Sequence, residues 1–296
     1  MLDHFPGEPC MSSNSIAIRP ITNIADLSRV EAIQRDVWLL PDDLMVVPTH
    51  LLKAVADLGG VLLGAYNVDA EVVGFVFGFL AHHHGHYSHH SHMMGVLPGY
   101  QNLGIGRRLK LAQREAVLAQ GLETITWTVD PLESRNAHLN VNKLGVVCNT
   151  YIRDMYGEMV DGLNVGLPSD RLLVEWHLRS RRVMQRLQQA VVAPSLDHAL
   201  TEGALLVDPD GIADGSQSTA SLSGSDRTNA TLVQIPFDFQ RLREDDPAGA
   251  IQWRLRTRSA LESLFADGCV VTALVRSTGE GEPQAYYLLQ RSGSAS

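Results

Sequence analysis

The chain has 296 residues, 45 % of them hydrophobic and 19 % charged, with a formal net charge of −9 and a pI near 5.7. That balance describes a globular protein with a real core, long enough for one large domain or two small ones, and it argues against a basic nucleic-acid surface. No apolar run reaches the length of a membrane span, the first residues lack a basic-then-apolar leader pattern, and the three scattered cysteines (Cys10, Cys148, Cys269) read as free thiols of a reducing compartment. The expectation is a cytoplasmic protein with neither a nucleic-acid nor a membrane partner.

Residues 1–14 carry Pro6, Gly7, Pro9, Ser12, Ser13 and Asn14 without periodicity and read as a disordered tail. Ile16 to Ile21 is a short strand, and Thr22 or Asn23 can cap a helix running to about Trp38. Pro48 to Leu58 makes a second helix. Gly60 to Tyr66 and Glu71 to Leu80 are apolar strands joined by Asn67-Val68-Asp69-Ala70, a hairpin pattern. Seven histidines then crowd into eleven residues, His82 to His92, and the apolar run to Val96 is stopped by Pro98.

Residues 96–110 are the most informative stretch. Gln101, Gly104 and Gly106 sit at close spacing between a strand and a helical pattern, Arg107 to Gln120, that ends at Gly121. Glycines there let the backbone turn sharply and bring N–H groups close to a bound anion, which the positive end of the helix then favours. The spacing is neither the dinucleotide fingerprint nor a nucleotide P-loop. Thr124 to Val129 alternates β-branched and aromatic residues as a strand does. Arg171 to Leu178 reads as a late strand and Ser180 to Ala193 as a helix. The basic cluster Arg179, Arg181, Arg182 and Arg186 is read as a solvated helix face. From Asp208 to Asn229 the composition shifts to Gly, Ser, Asp and Thr, a flexible linker. Beyond it come a strand (Leu232 to Ile235), a helix (Asp245 to Phe265) and two strands (Cys269 to Val275, Gln284 to Leu289). So short a tail is small for an independent core, so it is expected to dock on the first domain.

The Val-x-Pro lead-in with Gln101-x-x-Gly104-x-Gly106 resembles the pyrophosphate loop of the GNAT acyltransferases, and Asn136-Ala137 through Lys143-Leu144-Gly145-Val146 resembles that family's helix-and-strand segment, in the same order. The resemblance implies an α/β (α+β) GNAT acyl-CoA N-acyltransferase fold. Its central sheet would be mixed and mostly antiparallel with flanking helices, here followed by a small C-terminal β-α-β-β extension. The implied organisation is an acyltransferase domain over 15–193, a linker over 208–229 and a docked extension over 230–292. Ser91-His92-Met93-Met94, Trp127 to Leu132, Tyr156-Gly157, Ser169-Asp170-Arg171, Glu175-Trp176, Gln234-Ile235-Pro236 and Trp253-Arg254 are similar to one subgroup of predicted GNAT acetyltransferases. Some of its relatives are linked with N-succinylation of amino acids, which makes succinyl as well as acetyl a candidate acyl group.

The implied cosubstrate is acetyl-CoA or another acyl-CoA, held by Met94, Val96, Gln101, Asn102, Leu103, Gly104, Ile105, Gly106 and Arg107, with Asn136 on the pantetheine. Acyl transfer to an amine needs a base, a polarised carbonyl and a proton for the leaving thiolate. In the family a tyrosine serves the last, but its place falls here on Val141, so Tyr151 and Tyr156 become the candidates. The base place falls near His90 or His92, which share a strand face with Met94 and Val96 and have a suitable pKa; a solvent-facing loop or a metal cluster are the other readings of these histidines. Asp130 is the candidate for the substrate amine. No nucleophilic serine or cysteine motif implies a covalent intermediate. The expected partners are acyl-CoA and a small amine, with no metal and with a homodimer left open. The rival readings are an acyl-CoA-binding or regulatory module on a degenerate fold, and a metal-binding protein working through the histidine hairpin.

Overall fold

A computed structural model describes residues 16–83, 85–157, 159, 161–162, 165–188, 193–207, 230–277 and 282–291. The expected tail over 1–14 and the linker over 208–229 lie outside them. The chain divides into two compact units, residues 1–79 with 91–116 and residues 80–90 with 117–296.

The first unit opens with β1 (Ala17–Pro20) and α1 (Ile24–Trp38). Of the two expected caps, Asn23 is the one used, its side chain accepting from the Asp26 N–H at 2.8 Å. Then follow α2 (Thr49–Asp57), β2 (Val61–Tyr66), β3 (Val72–His83), β4 (His86–Val96) and α3 (Ile105–Ala119), with β3 and β4 each divided between the units. Strands β1, β2 and β3 pair antiparallel in that order. Leu27, Val30, Ile33 and Leu52 from the helices meet Leu62, Tyr66, Phe75 and Phe77 from the strands in one buried cluster. Polar side chains fix the connection between the helices. The buried Gln34 amide accepts from the Val47 N–H at 2.7 Å and donates to its carbonyl at 3.1 Å.

The second unit adds β5 (Thr124–Val129), α4 (Ser134–Ala137), β6 (Val147–Ile152), β7 (Arg171–His177), α5 (Arg181–Gln188), α6 (Leu196–Thr201), β8 (Leu205–Val207) and β9 (Ala230–Ile235). Helices α7 (Phe239–Asp245) and α8 (Pro247–Ala266) and strands β10 (Cys269–Ser277) and β11 (Gln284–Arg291) complete it. His89 and His90 of β4 lie parallel to Ile125 and Thr126 of β5. Antiparallel neighbours then run β5–β7, β7–β6, β6–β10, β10–β11 and β11–β9, and β8 joins β9 in parallel. The sheet is thus mixed and mostly antiparallel, as expected. The β6–β10 join is narrow, a single register pair of Val271 with Cys148. Beside it the Asn142 amide donates to the Leu274 carbonyl at 2.7 Å and accepts from its N–H at 2.9 Å.

Two details depart from the sequence reading. The expected helix after Asn136 is one short turn followed by a π-helical stretch, His138–Leu144, closed by Gly145 at φ +80°. A Cβ at Gly145 would lie 3.1 Å from Arg186 Cγ and 3.3 Å from Val183 Cα, so both backbone and packing demand glycine. The basic cluster around α5 is not a fully solvated face either. Arg182 reaches in to donate to the carbonyls of Gly145 and Thr272, and burial lowers its pKa to about 10.

Candidate active site

In the first unit the glycine loop follows β4 directly. A 3₁₀ turn, Pro98–Tyr100, ends the strand, and Gln101 donates from its side chain back to the Val96 carbonyl at 3.2 Å. Asn102 (φ +64°) and Gly104 (φ +74°) both take the left-handed conformation, the second allowing the loop to open onto α3, where the Arg108 N–H closes the first turn on the Gly104 carbonyl. A Cβ at Gly104 would meet nothing within 4 Å. The backbone, not crowding by neighbours, therefore demands glycine there, and the space over the loop is open. The first N–H groups of a helix lack intrahelical partners, and Gly104 to Arg107 present theirs here, with the half-buried Arg107 on the first turn. Leu103 is half-buried and Ile105 buried, anchoring the loop, while Gln101 and Asn102 are exposed. This is a fitting cradle for a pyrophosphate. Met94 and Val96 lie half-buried on β4.

The same strand carries His92, exposed on one side, with its ring 6.2 Å from Phe77 and 5.8 Å from Phe79. Partial burial lowers its pKa below the usual imidazole value, which favours the neutral, proton-accepting form at neutral pH. One turn into α3's buried face lies Lys110, its ammonium donating to Ser91 Oγ at 2.7 Å; complete burial lowers its pKa to about 7.

In the second unit His90 is half-buried with Nδ1 3.3 Å from Thr126 Oγ1, whereas His89 is fully buried. His82 stacks on Tyr87 at 4.6 Å between ring centres. Among the described residues no group of three or more His, Cys, Asp or Glu is placed to hold a metal, and His84 lies outside those residues. Val141 is buried in the π-helical stretch, so the family's tyrosine place is part of the core. Tyr151 is committed elsewhere. Its hydroxyl donates to Asp170 Oδ2 at 2.7 Å, and burial followed by that carboxylate pushes its pKa well up. Tyr156 is 44 % exposed, its hydroxyl 3.0 Å from Thr128 Oγ1 on β5 and its ring 5.4 Å from the Arg171 guanidinium.

Asp130 directly follows β5, with its carboxylate already engaged. Arg254 donates to both oxygens, at 2.8 and 2.6 Å, the Leu132 N–H donates to Oδ1 at 2.8 Å, and Arg171 approaches Oδ2 at 3.4 Å. Asn136 is exposed within α4, whose N-cap is Glu133. Sequence reasoning gave no site role to Arg258 or Lys110, which carry no local motif, nor to Arg254, which entered only as part of the Trp253-Arg254 resemblance.

Residues 31–145 match the model of the acetyltransferase (GNAT) family. That segment, less than half of the chain, is similar to the GNAT family. The matched region runs from within α1 through the glycine loop to Gly145. Solved structures similar to it include a GNAT-family acetyltransferase from Streptococcus pneumoniae (19 % identity, 54 % of this chain and 98 % of that one, TM-score 0.44). Others are the ribosomal-protein-S18-alanine N-acetyltransferase from Escherichia coli (14 %, 56 % and 95 %, 0.43) and Arabidopsis thaliana Naa50 in complex with a bisubstrate analogue (20 %, 54 % and 97 %, 0.41). The family likeness rests on the sequence match over residues 31–145. No curated protein matches the chain. No helix among the described residues is long and apolar enough to cross a membrane.

Proposed function

We propose that this protein is a GNAT-type N-acyltransferase that transfers an acetyl or succinyl group from coenzyme A to the amine of a small molecule by direct attack, with amino acids as the first acceptor class to test. The observation that carries this is the loop Gln101 to Gly106: two left-handed residues, open space above Gly104, and α3's first turn behind it. Backbone N–H groups and Arg107 hold the pyrophosphate, Met94 and Val96 line the strand that the acyl-CoA follows, and Asn136 hydrogen-bonds the pantetheine. The thioester supplies the activated acyl group.

His92 is the favoured base, because its lowered pKa leaves the imidazole neutral where an ammonium must be deprotonated; His90, held by Thr126, is the second candidate. Tyr156 is the better proton donor to the departing thiolate. It is accessible, whereas Tyr151 keeps its proton on Asp170. Asp130 serves the acceptor indirectly, by fixing Arg171 beside Tyr156, since its own oxygens are taken.

Titration calorimetry with acetyl-CoA and succinyl-CoA, followed by a thiol-release assay over an amine panel, tests the reading. Binding with turnover supports it; no binding of either thioester overturns it. A second reading, an acyl-CoA-binding regulator, is favoured by Val141 at the family's tyrosine place, and binding without turnover over the whole panel would select it.

A further inference from the structure

The end of β5 and the residues after it are gripped by side chains that arrive from far along the chain. Arg254 on α8 forks onto Asp130, and Tyr287 donates from its hydroxyl to the Pro131 carbonyl at 2.9 Å. Gln240 donates to the Glu133 carboxyl, and Ser134 donates to the Phe237 carbonyl. Four of the five residues from 130 to 134 are thus tied to the segment beyond residue 230. One turn further on α8, Arg258 forks onto Asp170 at 2.8 Å to each oxygen, and Asp170 in turn accepts from Tyr151 and from the Asp154 N–H.

The Arg254–Asp130 pair is the centre of this arrangement. Arg254 is 1 % exposed, so the pair lies out of water, where a bidentate fork fixes the plane of the carboxylate. That plane matters because Oδ1 also accepts from the Leu132 N–H and so makes the turn by which the chain leaves β5 toward Asn136. Oδ2 faces Arg171, whose guanidinium lies against the Tyr156 ring. Orientation therefore passes from α8 through one carboxylate to two groups with proposed roles in acyl transfer.

We propose that Arg254 is a positioning residue for acyl transfer, acting through Asp130 to set Asn136 on one side and the Arg171–Tyr156 pair on the other. This makes the carboxyl-terminal segment a working part of the enzyme. The inference rests on the acyltransferase reading above.

The test compares the full-length protein with Arg254→Ala and Asp130→Asn. Each is checked for a cooperative melt, then measured for kcat, for KM of thioester and amine, and for amide hydrogen exchange in residues 132–144. A displacement of about 1 Å at a reacting group costs on the order of 10²-fold. A fall of that order in kcat is expected in both variants, with the KM for acetyl-CoA within about threefold. Exchange over 132–144 should quicken while β5 stays protected. Guanidinium chloride at concentrations far below denaturing should restore activity to Arg254→Ala and leave the unmodified protein unchanged. If Arg254→Ala does not fold, Asp130→Asn carries the test, since it keeps the shape of the side chain. Folded variants with unaltered kcat and unaltered exchange would overturn the proposal. An unmodified protein that turns over no amine while exchange still responds would instead overturn the acyltransferase reading and leave the positioning in place.

Discussion

Replacing Lys110 by methionine should make the protein more stable at pH 7, and the gain should fade as pH rises. Lys110 is 2 % exposed on α3, and burial lowers its pKa from 10.5 to about 7. At about 1.4 kcal/mol per pH unit, that drop corresponds to roughly 5 kcal/mol of unfavourable burial at pH 7 and below, where both folded and unfolded chains hold the proton. Between pH 7 and 10.5 the unfolded chain holds more protons than the folded one, so stability rises with pH, by about 2 kcal/mol from pH 7 to 9. Methionine has a similar length and no charge, but it leaves the buried Ser91 hydroxyl without the bond it receives at 2.7 Å, a loss of about 1–3 kcal/mol. The expected net gain at pH 7 is roughly 2–4 kcal/mol. Urea unfolding at pH 7, 8 and 9 measures both slopes, and the difference between the two proteins removes every other ionisation. Parallel curves over that range would show that Lys110 is not buried as a strained base and would refute the argument.

Gly104→Asp should abolish acetyl-CoA binding in calorimetry while the protein stays folded, because it puts a carboxylate where a pyrophosphate must sit and a side chain on a left-handed backbone; unchanged affinity would remove the loop from the site. His92→Ala should lower kcat by about 10²–10⁴-fold, as loss of a general base does, with His86→Ala as the exposed control; a few-fold effect at both would leave proton removal to water. Since the His92 pKa is lowered, activity should rise as pH increases through a midpoint below 6.5 and stay level above it. A profile still rising at pH 8 would point to another base. Gly145→Ala should cost about 1–3 kcal/mol, the usual range for a forced left-handed residue, and thermal melts of a variant as stable as the parent would show that α5 can yield.

The strands with a clear β-branched alternation were legible: Thr124 to Val129 is read from the sequence with the bounds that β5 has. So were a cap at Thr22 or Asn23, of which Asn23 is the one used, and the stop at Gly121, each a local backbone requirement. Strand β6, Val147–Ile152, was implied only by the resemblance and not legible in its own residues, because Cys-Asn-Thr carries no alternation and its pairing with β7 shifts register there. Nor was the helix Phe239–Asp245, too short to show a period. For the site, the glycine loop was legible as a motif, since its chemistry lies in adjacent residues. The grip on Asp130 was not, because Arg254 is 124 residues away and nothing in local spacing encodes such a pair. The histidines show the same limit on a finer scale: a period of two separates His89 from His90 and His92, and burial, which sorts them further, depends on what packs against each face.

The narrow join at Cys148 has a consequence for how the chain is made. Strand β6 has β7 on one side, and on the other only β10, which is synthesised about 130 residues later than Cys148. At the usual ~5–20 residues per second, β6 waits on the order of ten seconds with an open edge once β7 has joined it. Such an edge is a template for any passing strand. The pattern on β6 limits the hazard, since Asn149 and Thr150 interrupt its apolar side and a register shift bends it between Cys148 and Thr150. A ribosome-stalling series ending between residues 200 and 277 should therefore show its peak of self-association, and of chaperone capture, just before β10 emerges.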